Sequence, residues 1–558
     1  MLTALCDLHD DYCRFVESFK VYAVLSIAFY AFACYNRVIK FSEADMIKSL
    51  IITSTSAAFE WQNDSPYYKG EKYNVYLDGN PILSADTNVF SLFGLSPGRE
   101  YVLSADGYEG VLRFSTLSET VAVSVRDFGA MGDGVTDDTT AIQTAISCLP
   151  EGARLYFPEG VYLTSPLSLK SHITLEICGG ATLRGSADRS KYPIIPGSVS
   201  NLNGGELNTG IWDGAPIPMY QSLLFAEYCT DITIVGEGVI DGCGSDGGWW
   251  DEAIRRGPIK RPRIIFFNRC DGVRLHGVNV KNSPNWNIHP YFSKNIDIIG
   301  VTVEAPKDSP NTDAIDPEAC DRVDIIGCRL SVGDDCIAIK SGKIELAKLF
   351  KRPASRHTVR NCLMQFGHGA LTLGSELGGG VTDLTVSKCL FDRTDRGLRI
   401  KTRRGRGKLS VIDGVCFENI LMNDVLTPIV INAFYNCDSD GHDEYVQSRD
   451  PLPIDDRTPH LGDFIFRDIV CQGCEVAACY CEGLPERPIE SISFVRFEAN
   501  FKENAKSSRP AMCDGISACS RGGMFLRSVG KLTLEDVKLR GVVGDELICE
   551  RVGSVIKK

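Results

Sequence analysis

Three aspartates stand where apolar periodicity has no use for them. Asp313 lies in NTDAID. Asp334 and Asp335 lie side by side in GDDCIAIKSG, in a run that otherwise reads as strand, with Val323, Ile325 and Ile326 before them and Ile337 and Ile339 after. Adjacent carboxylates in a buried strand cost stability, so such a pair marks a candidate site. His368, between Gly367 and Gly369, adds an imidazole. Arg399 and Lys401, two residues apart in RGLRIKT, share one face of a strand. Carboxylates with an imidazole are equipment for acid–base catalysis. The two fixed cations form a clamp for an anion, and arginine grips a carboxylate with a bidentate fork.

The elements that position these residues must bring them together from 88 positions of chain, Asp313 to Lys401. Asp313 and Asp334 are 21 residues apart, about one turn of a stacked β-coil. The segments VRLHGVNVKNSP (273–284), IDIIGVTVEAP (296–306), VDIIGCRLSVGDD (323–335), VRNCLMQFGHG (359–369) and LTVSKCLFDRTDRG (384–397) repeat one inexact pattern. Val273 to Ile296 is 23 residues and Ile296 to Val323 is 27. Short strands at this period, with a branched apolar residue at matching places, predict a right-handed parallel β-helix. Its coils lie roughly 4.8 Å apart, so the four sites are expected to stack in register on one face. A bend after Gly333 is needed for Asp334 and Asp335 to reach the same cleft. The insertion Lys343–Ser355 breaks the period and is expected as a loop at the cleft edge.

Before the β-helix, residues 1–48 read as a helical extension without a motif. It contains the apolar run Val21–Tyr35, which is short for a membrane span and lacks the positive flank of a signal peptide. Residues 49–118 read as short strands with Asp-Gly turns, and Leu95-Ser96-Pro97-Gly98 followed by Tyr101 resembles the loop-to-strand signature of a fibronectin type III module, a small β-sandwich. From residue 121 to 558 the chain is assigned to the β-helix. Its open first coil needs a cover, and the helix predicted after Asp137-Asp138-Thr139, with Ala141, Ile142, Ala145 and Ile146 on one face, is placed there.

The 558-residue chain is 44% hydrophobic and 23% charged, with net charge −13. That balance disfavours nucleic acid as a partner, and no stable membrane partner is expected. An anionic substrate needs a local basic patch. Arg393–Lys408 offers one, with Arg396, Arg403, Arg404, Arg406 and Lys408 beside the two clamp residues; the other reading is a solvated basic loop. There are 22 cysteines. Cys328, Cys362 and Cys389 recur at one coil position and read as buried free thiols, which suit a reducing compartment. Cytoplasmic location is therefore expected, with secretion as the alternative. Cys471, Cys474, Cys479 and Cys481 form a tight group, but its spacing is too short for the usual zinc modules.

NTDAID, GDDCIAIKSG, GHG and RGLRIKT, in this order, resemble the signatures of glycoside hydrolase family 28, the polygalacturonases, and Asn282-Ser283-Pro284-Asn285-Trp286 resembles a motif that precedes the site. The likeness spans about residues 121–480. It implies hydrolysis of α-1,4-galacturonosyl bonds in pectic polysaccharide, without cofactor or metal. Asp334 is then the general acid, Asp313 and Asp335 activate water, and His368 supports the acid. Arg399 and Lys401 hold a galacturonate carboxylate, with Asn311 and Trp286 as further substrate-binding residues. Gly333 stands where endo-acting members commonly carry Gln, and with the sandwich this is similar to the bacterial exo-acting branch. The Gly244–Arg263 segment, with Trp249 and Trp250, and the Lys343–Ser355 insertion are the candidates to close one end of the cleft. Endo action or a rhamnogalacturonan-type hydrolase is the alternative within the family. A calcium-dependent pectate lyase and a non-catalytic β-helix that binds acidic glycans are the alternatives of other classes.

Overall fold

A computed structural model describes residues 47–200, 206–255 and 257–558. The expected N-terminal helix lies outside these residues, except that Ile47 and Lys48 already belong to the first strand, Ile47–Ile52. That strand pairs antiparallel with Ala57–Trp61, which pairs with Val89–Leu92. A second antiparallel sheet contains Asn80–Thr87, Tyr68–Leu77, Glu100–Ala105 and Leu112–Ser115. The sheets pack face to face through aromatic rings. Phe59 of the first lies 5.0 Å from Phe114 of the second, and Trp61 lies 5.3 Å from Tyr73.

The rest is a right-handed parallel β-helix. One face stacks Asp271–His276, Lys294–Ile299, Asp321–Ile326, Ala354–Arg360 and Val381–Ser387 in parallel. Val273, Ile296 and Val323 are direct partners, as their repeat predicts. A second face runs through Asn279–Lys281, Thr302–Glu304, Arg329–Ser331, Leu363–Gln365 and Leu390–Asp392. The third face carries the site. Its inward residues Ile288, Ile315, Ile337, Leu371, Leu398 and Ile429 form a buried row, one per coil. The neighbouring outward rows read His289, Asp316, Ala338, Thr372, Arg399 and Tyr291, Glu318, Lys340, Gly374, Lys401.

The helix Thr139–Cys148 covers the first coils and buries Ile142, Ala145 and Ile146 against Leu155 and Leu175. Asp138 is its N-cap, but its carboxylate turns away and accepts from Met131 N and Gly132 N at 2.7 and 3.0 Å. The stacked thiols are buried and unpaired. Cys471, Cys474, Cys479 and Cys481 are also core residues: Cys479 and Cys481 are level with Ile429 and Ile431 of the preceding coil.

The sandwich is tied to the β-helix by buried polar groups. Glu60 accepts from Arg360 Nε at 2.8 Å and from Asn361 Nδ2 at 2.7 Å. Asn88 Nδ2 donates to Asn361 Oδ1 at 2.9 Å. A buried carboxylate is tolerated where charged donors satisfy it in this way.

The insertion Lys343–Ser355 is not a loop. Residues Ile344–Phe350 form a helix, because Leu346 and Ala347 have an apolar surface to bury. Leu346 joins Ile211 against Phe266 and Tyr291 on the third face.

Candidate active site

Asp313, Asp335, Gly369 and Arg396 each stand two residues before an inward residue of the third face, so backbone pairing places them level. Ala314 N donates to Asp335 O at 3.1 Å, and Cys336 N to Gly369 O at 2.9 Å. Arg399 and Lys401 do not stand in that row. They sit three and five residues beyond Arg396, and only their long side chains reach back to the aspartates. The expected simple stack is therefore a row of acids with cations leaning in from the side.

The backbone bends at Gly333 and Asp334, and both aspartates face one cavity. A Cβ on Gly333 would lie 2.4 Å from Ser309 O, so glutamine has no room there. A Cβ on Gly369 would lie 3.0 Å from Asp335 Oδ1, which explains a glycine after His368. Oxygens of Asp313, Asp334 and Asp335 lie within 4.8 Å of one another. Such a group could also coordinate a cation, but three side-chain cations already offset it. Lys401 Nζ donates to Asp335 Oδ2 at 2.8 Å and Arg399 Nη1 to Oδ1 at 3.1 Å, while Lys340 Nζ is 3.9 Å from Asp313 Oδ2.

These neighbours drive the acids apart. Burial pushes Asp335 upward, but Lys401 and Arg399 outweigh it and hold its pKa below the usual carboxylate range. Burial pushes Asp313 well above that range, aided by the charges of Asp316 and Asp334. The acid most favoured in its protonated form is thus Asp313, first through burial and then through its acidic neighbours. His368 Nδ1 meets Asp395 Oδ2 at 2.9 Å, and that hydrogen bond raises the imidazole's pKa. Asp395, one coil beyond His368, escaped the sequence reading although it adjoins RGLRIKT.

The cavity has a volume of about 330 Å³, within the range of small-ligand sites. Trp286 and Asn311 line it as expected. Trp286 stacks parallel to Trp212 at 6.3 Å, and Asn311 Oδ1 accepts from Arg261 Nη2 at 2.5 Å. Lys340, from the GDDCIAIKSG segment itself, also lines it, and further lining residues come from distant segments, among them Asp213, Glu376, Tyr435 and Met512. Sequence spacing gave no signal for these distant residues.

Two expectations are corrected here. The basic run is not a surface patch. Arg403 pairs with Asp438 and Asp440, Arg404 with Glu486, Arg406 with Asp438, and Lys408 with Asp456. Arg396 is bound to Pro510 O and Arg509 O. Acids from later loops neutralise the run, leaving Arg399 and Lys401 at the cavity. Nor does Trp249 close the cleft. It is 0% exposed and packs between Tyr192 and Tyr220, while Trp250 donates to Ser283 O at 2.9 Å.

The outward face is covered on the coils flanking the cavity, while a second cavity of about 400 Å³ adjoins it through Asp213, Asn311 and Cys437. Ile211 and Leu346 cover Phe266 and Tyr291 before it. Beyond it, Asn432 donates to Met512 O at 3.0 Å, and Val430, Asn432 and Tyr480 are buried.

The family model for "Glycosyl hydrolases family 28" matches residues 162–447, and one for "Rhamnogalacturonase A/epimerase, pectate lyase-like" matches residues 122–201. A "Probable polygalacturonase" of Vitis vinifera is 32% identical over 74% of this chain and 81% of that protein. An "Endo-polygalacturonase" of Pectobacterium carotovorum subsp. carotovorum is 29% identical over 63% of this chain and 82% of that protein. The solved structure of a hyperthermoactive exopolygalacturonase from Thermotoga maritima is 27% identical, with a TM-score of 0.61 over 77% of this chain and 94% of that one.

Proposed function

The chain belongs to glycosyl hydrolase family 28, and from that premise we propose that it hydrolyses α-1,4-galacturonosyl bonds of polygalacturonate or oligogalacturonides from a chain end. The observation that carries this reading is the juxtaposition of three carboxylates with Arg399 and Lys401 in one cavity, on a face that is covered over the flanking coils. A polyanionic chain needs cations, hydrolysis needs an acid and a base, and a covered face admits an end rather than a mid-chain stretch.

In this reading Asp335, held anionic by Arg399 and Lys401, draws the proton from the attacking water. Asp334, half-buried beside His368, protonates the leaving oxygen. Asp313, whose proton is favoured by burial, completes a group that holds one proton between near neighbours. The proton is then available to Asp334 when the glycosidic oxygen arrives. Arg399 and Lys401 keep donors free for a sugar carboxylate alongside Asp335. Cytoplasmic action on short oligogalacturonides belongs to the same proposal, supported by 19 unpaired cysteines among the described residues.

Products of polygalacturonate followed over time test the reading. One short product from the first minutes supports exo action, and a ladder of oligomers replaces it with endo action. An unsaturated product absorbing in the ultraviolet and lost with chelator would make the protein a lyase. No new reducing ends would leave only glycan binding.

A further inference from the structure

Lys340 is a cation of the cavity that the proposed reaction does not use. It stands in the same outward row as Lys401, two coils away, with Gly374 between them. At about 4.8 Å per coil their backbones are roughly 10 Å apart. Each leans toward the aspartates from its own side, Lys401 to Asp335 and Lys340 to Asp313. Gly374 carries no side chain, and a Cβ there would meet Lys401 O at 2.7 Å and Leu377 Cδ1 at 3.0 Å, so only glycine lets the two coils pack between the lysines.

The surroundings of Lys340 differ from those of Lys401. The side chain is 3% exposed and lies over Trp286, with Nζ 4.5 Å from the ring centroid. Its ion pairs are loose, 3.4 Å to Asp316 Oδ1 and 3.5 Å to Glu376 Oε2, against 2.8 Å for Lys401 and Asp335. Glu376 is itself 4% exposed and lines the cavity, and its Oε2 has no hydrogen-bond donor. Burial pushes Glu376 up, but Lys340, Lys401 and Arg406 outweigh it and keep it anionic. A buried acceptor without a donor is costly and is normally satisfied. The cavity wall therefore holds a loosely paired ammonium and, just beneath its surface, a carboxylate oxygen that no donor fills, a combination that matches a sugar bearing a carboxylate and a neighbouring hydroxyl.

We infer that Lys340 and Glu376 form a second sugar grip, across the aspartate triad from Arg399 and Lys401. Lys340 takes the carboxylate of the sugar on the other side of the cleaved bond, and Glu376 Oε2 accepts one of its hydroxyls. The inference rests on the polygalacturonate-hydrolase reading and adds that both sugars flanking the bond must be free acids.

The test uses the shortest oligogalacturonide that the wild type cleaves, methyl-esterified singly on either sugar flanking the cleaved bond. With two grips, each ester lowers wild-type kcat/KM at least tenfold relative to the free acid. With one grip, one ester is as good as the acid, and the inference is overturned without any variant. In Lys340→Met the penalty of one ester disappears, and in Arg399→Ala that of the other. If both variants become blind to the same ester, or Lys340→Met stays sensitive to both, Lys340 is only an internal counter-ion. Should Lys340→Met fail to fold, the wild-type comparison still decides. A wild type that cleaves neither oligogalacturonides nor polygalacturonate refutes the functional reading itself.

Discussion

Lys401 Nζ donates to Asp335 Oδ2 at 2.8 Å, so a cation expected to hold the substrate already holds a carboxylate of the protein. Arg399 does the same at the other oxygen, 3.1 Å away. On the proposed function, binding the substrate and keeping Asp335 ionised fall to the same two side chains.

This sharing separates the effects of substitution. Lys401→Ala and Arg399→Ala should each lower kcat/KM, by roughly 2–5 kcal/mol for one side of a buried charge pair removed. Each should also release Asp335 toward the ordinary carboxylate range, moving the acidic limb of the kcat/KM–pH profile upward by about one unit or more. A purely binding role predicts the loss without the shift. A profile with an unmoved acidic limb in both variants would show that neither cation sets the state of Asp335.

On the proposed mechanism, His368 and Asp395 set the other limb. The hydrogen bond to Asp395 keeps the imidazolium charged to higher pH than usual. Asp395→Asn removes that support, so the alkaline limb should move to lower pH while the acidic limb stays. His368→Ala should lose activity across the whole range. Coincident profiles for wild type and Asp395→Asn would remove His368 from the proton chemistry.

Part of the molecule was legible in sequence because the information is local. Val273, Ile296 and Val323 repeat at one coil spacing, and the structure pairs them directly. Each acidic or basic motif is contiguous, so a stacked coil brings them close. The misreadings arose where partners lie far along the chain. Arg403, Arg404 and Arg406 looked free because Asp438, Asp440 and Glu486 come from later loops. Lys340 was in view, inside GDDCIAIKSG, but its meaning depends on Glu376, which reaches it after the intervening coil has been wound. Trp249 looked like a cleft residue by type, and only packing shows it as core.

The buried acids beneath the cavity predict how stability depends on pH. Burial raises Asp316 to about 7 and Glu318 to about 8, the latter also through the charge of Glu376. Both pKa values lie above those of the unfolded chain, so the folded state binds more protons. Their contribution is complete below the unfolded pKa and is lost as pH rises through about 7 to 8. Asp335 acts in the opposite sense, and its contribution is lost on strong acidification. The melting temperature should therefore fall between pH 6 and pH 9. Asp316→Asn and Glu318→Gln should each flatten that fall. A melting temperature that rises over the same range in the wild type would contradict the assignment.

The stereochemical outcome is the sharpest prediction of the site. The general rule gives retaining enzymes carboxyl groups about 5–5.5 Å apart and inverting enzymes about 6.5–9.5 Å, to admit a water. Here the nearest oxygens lie within 4.8 Å, which by separation alone points to retention. Two observations favour inversion. Retention needs two carboxylates, and three converge here. Asp335 is also pinned at both oxygens by Lys401 and Arg399, a poor state for a nucleophile that must bond to carbon but a good one for a fixed base. Asp334 is the half-exposed member, and the proposed mechanism gives it the acid role. Its Oδ1 accepts from Asp335 N at 3.0 Å, its one hydrogen bond among the described residues, and an asparagine oxygen can accept that bond. Asp334→Asn should therefore melt like the wild type while losing activity by about two to four orders of magnitude, the usual scale of a lost general acid. The wild type should release the β-anomer first from an α-linked substrate, seen by proton NMR before mutarotation. An initial α-anomer, or a glycosyl adduct trapped on any of the three aspartates, would establish the retaining mechanism that the carboxylate spacing suggests.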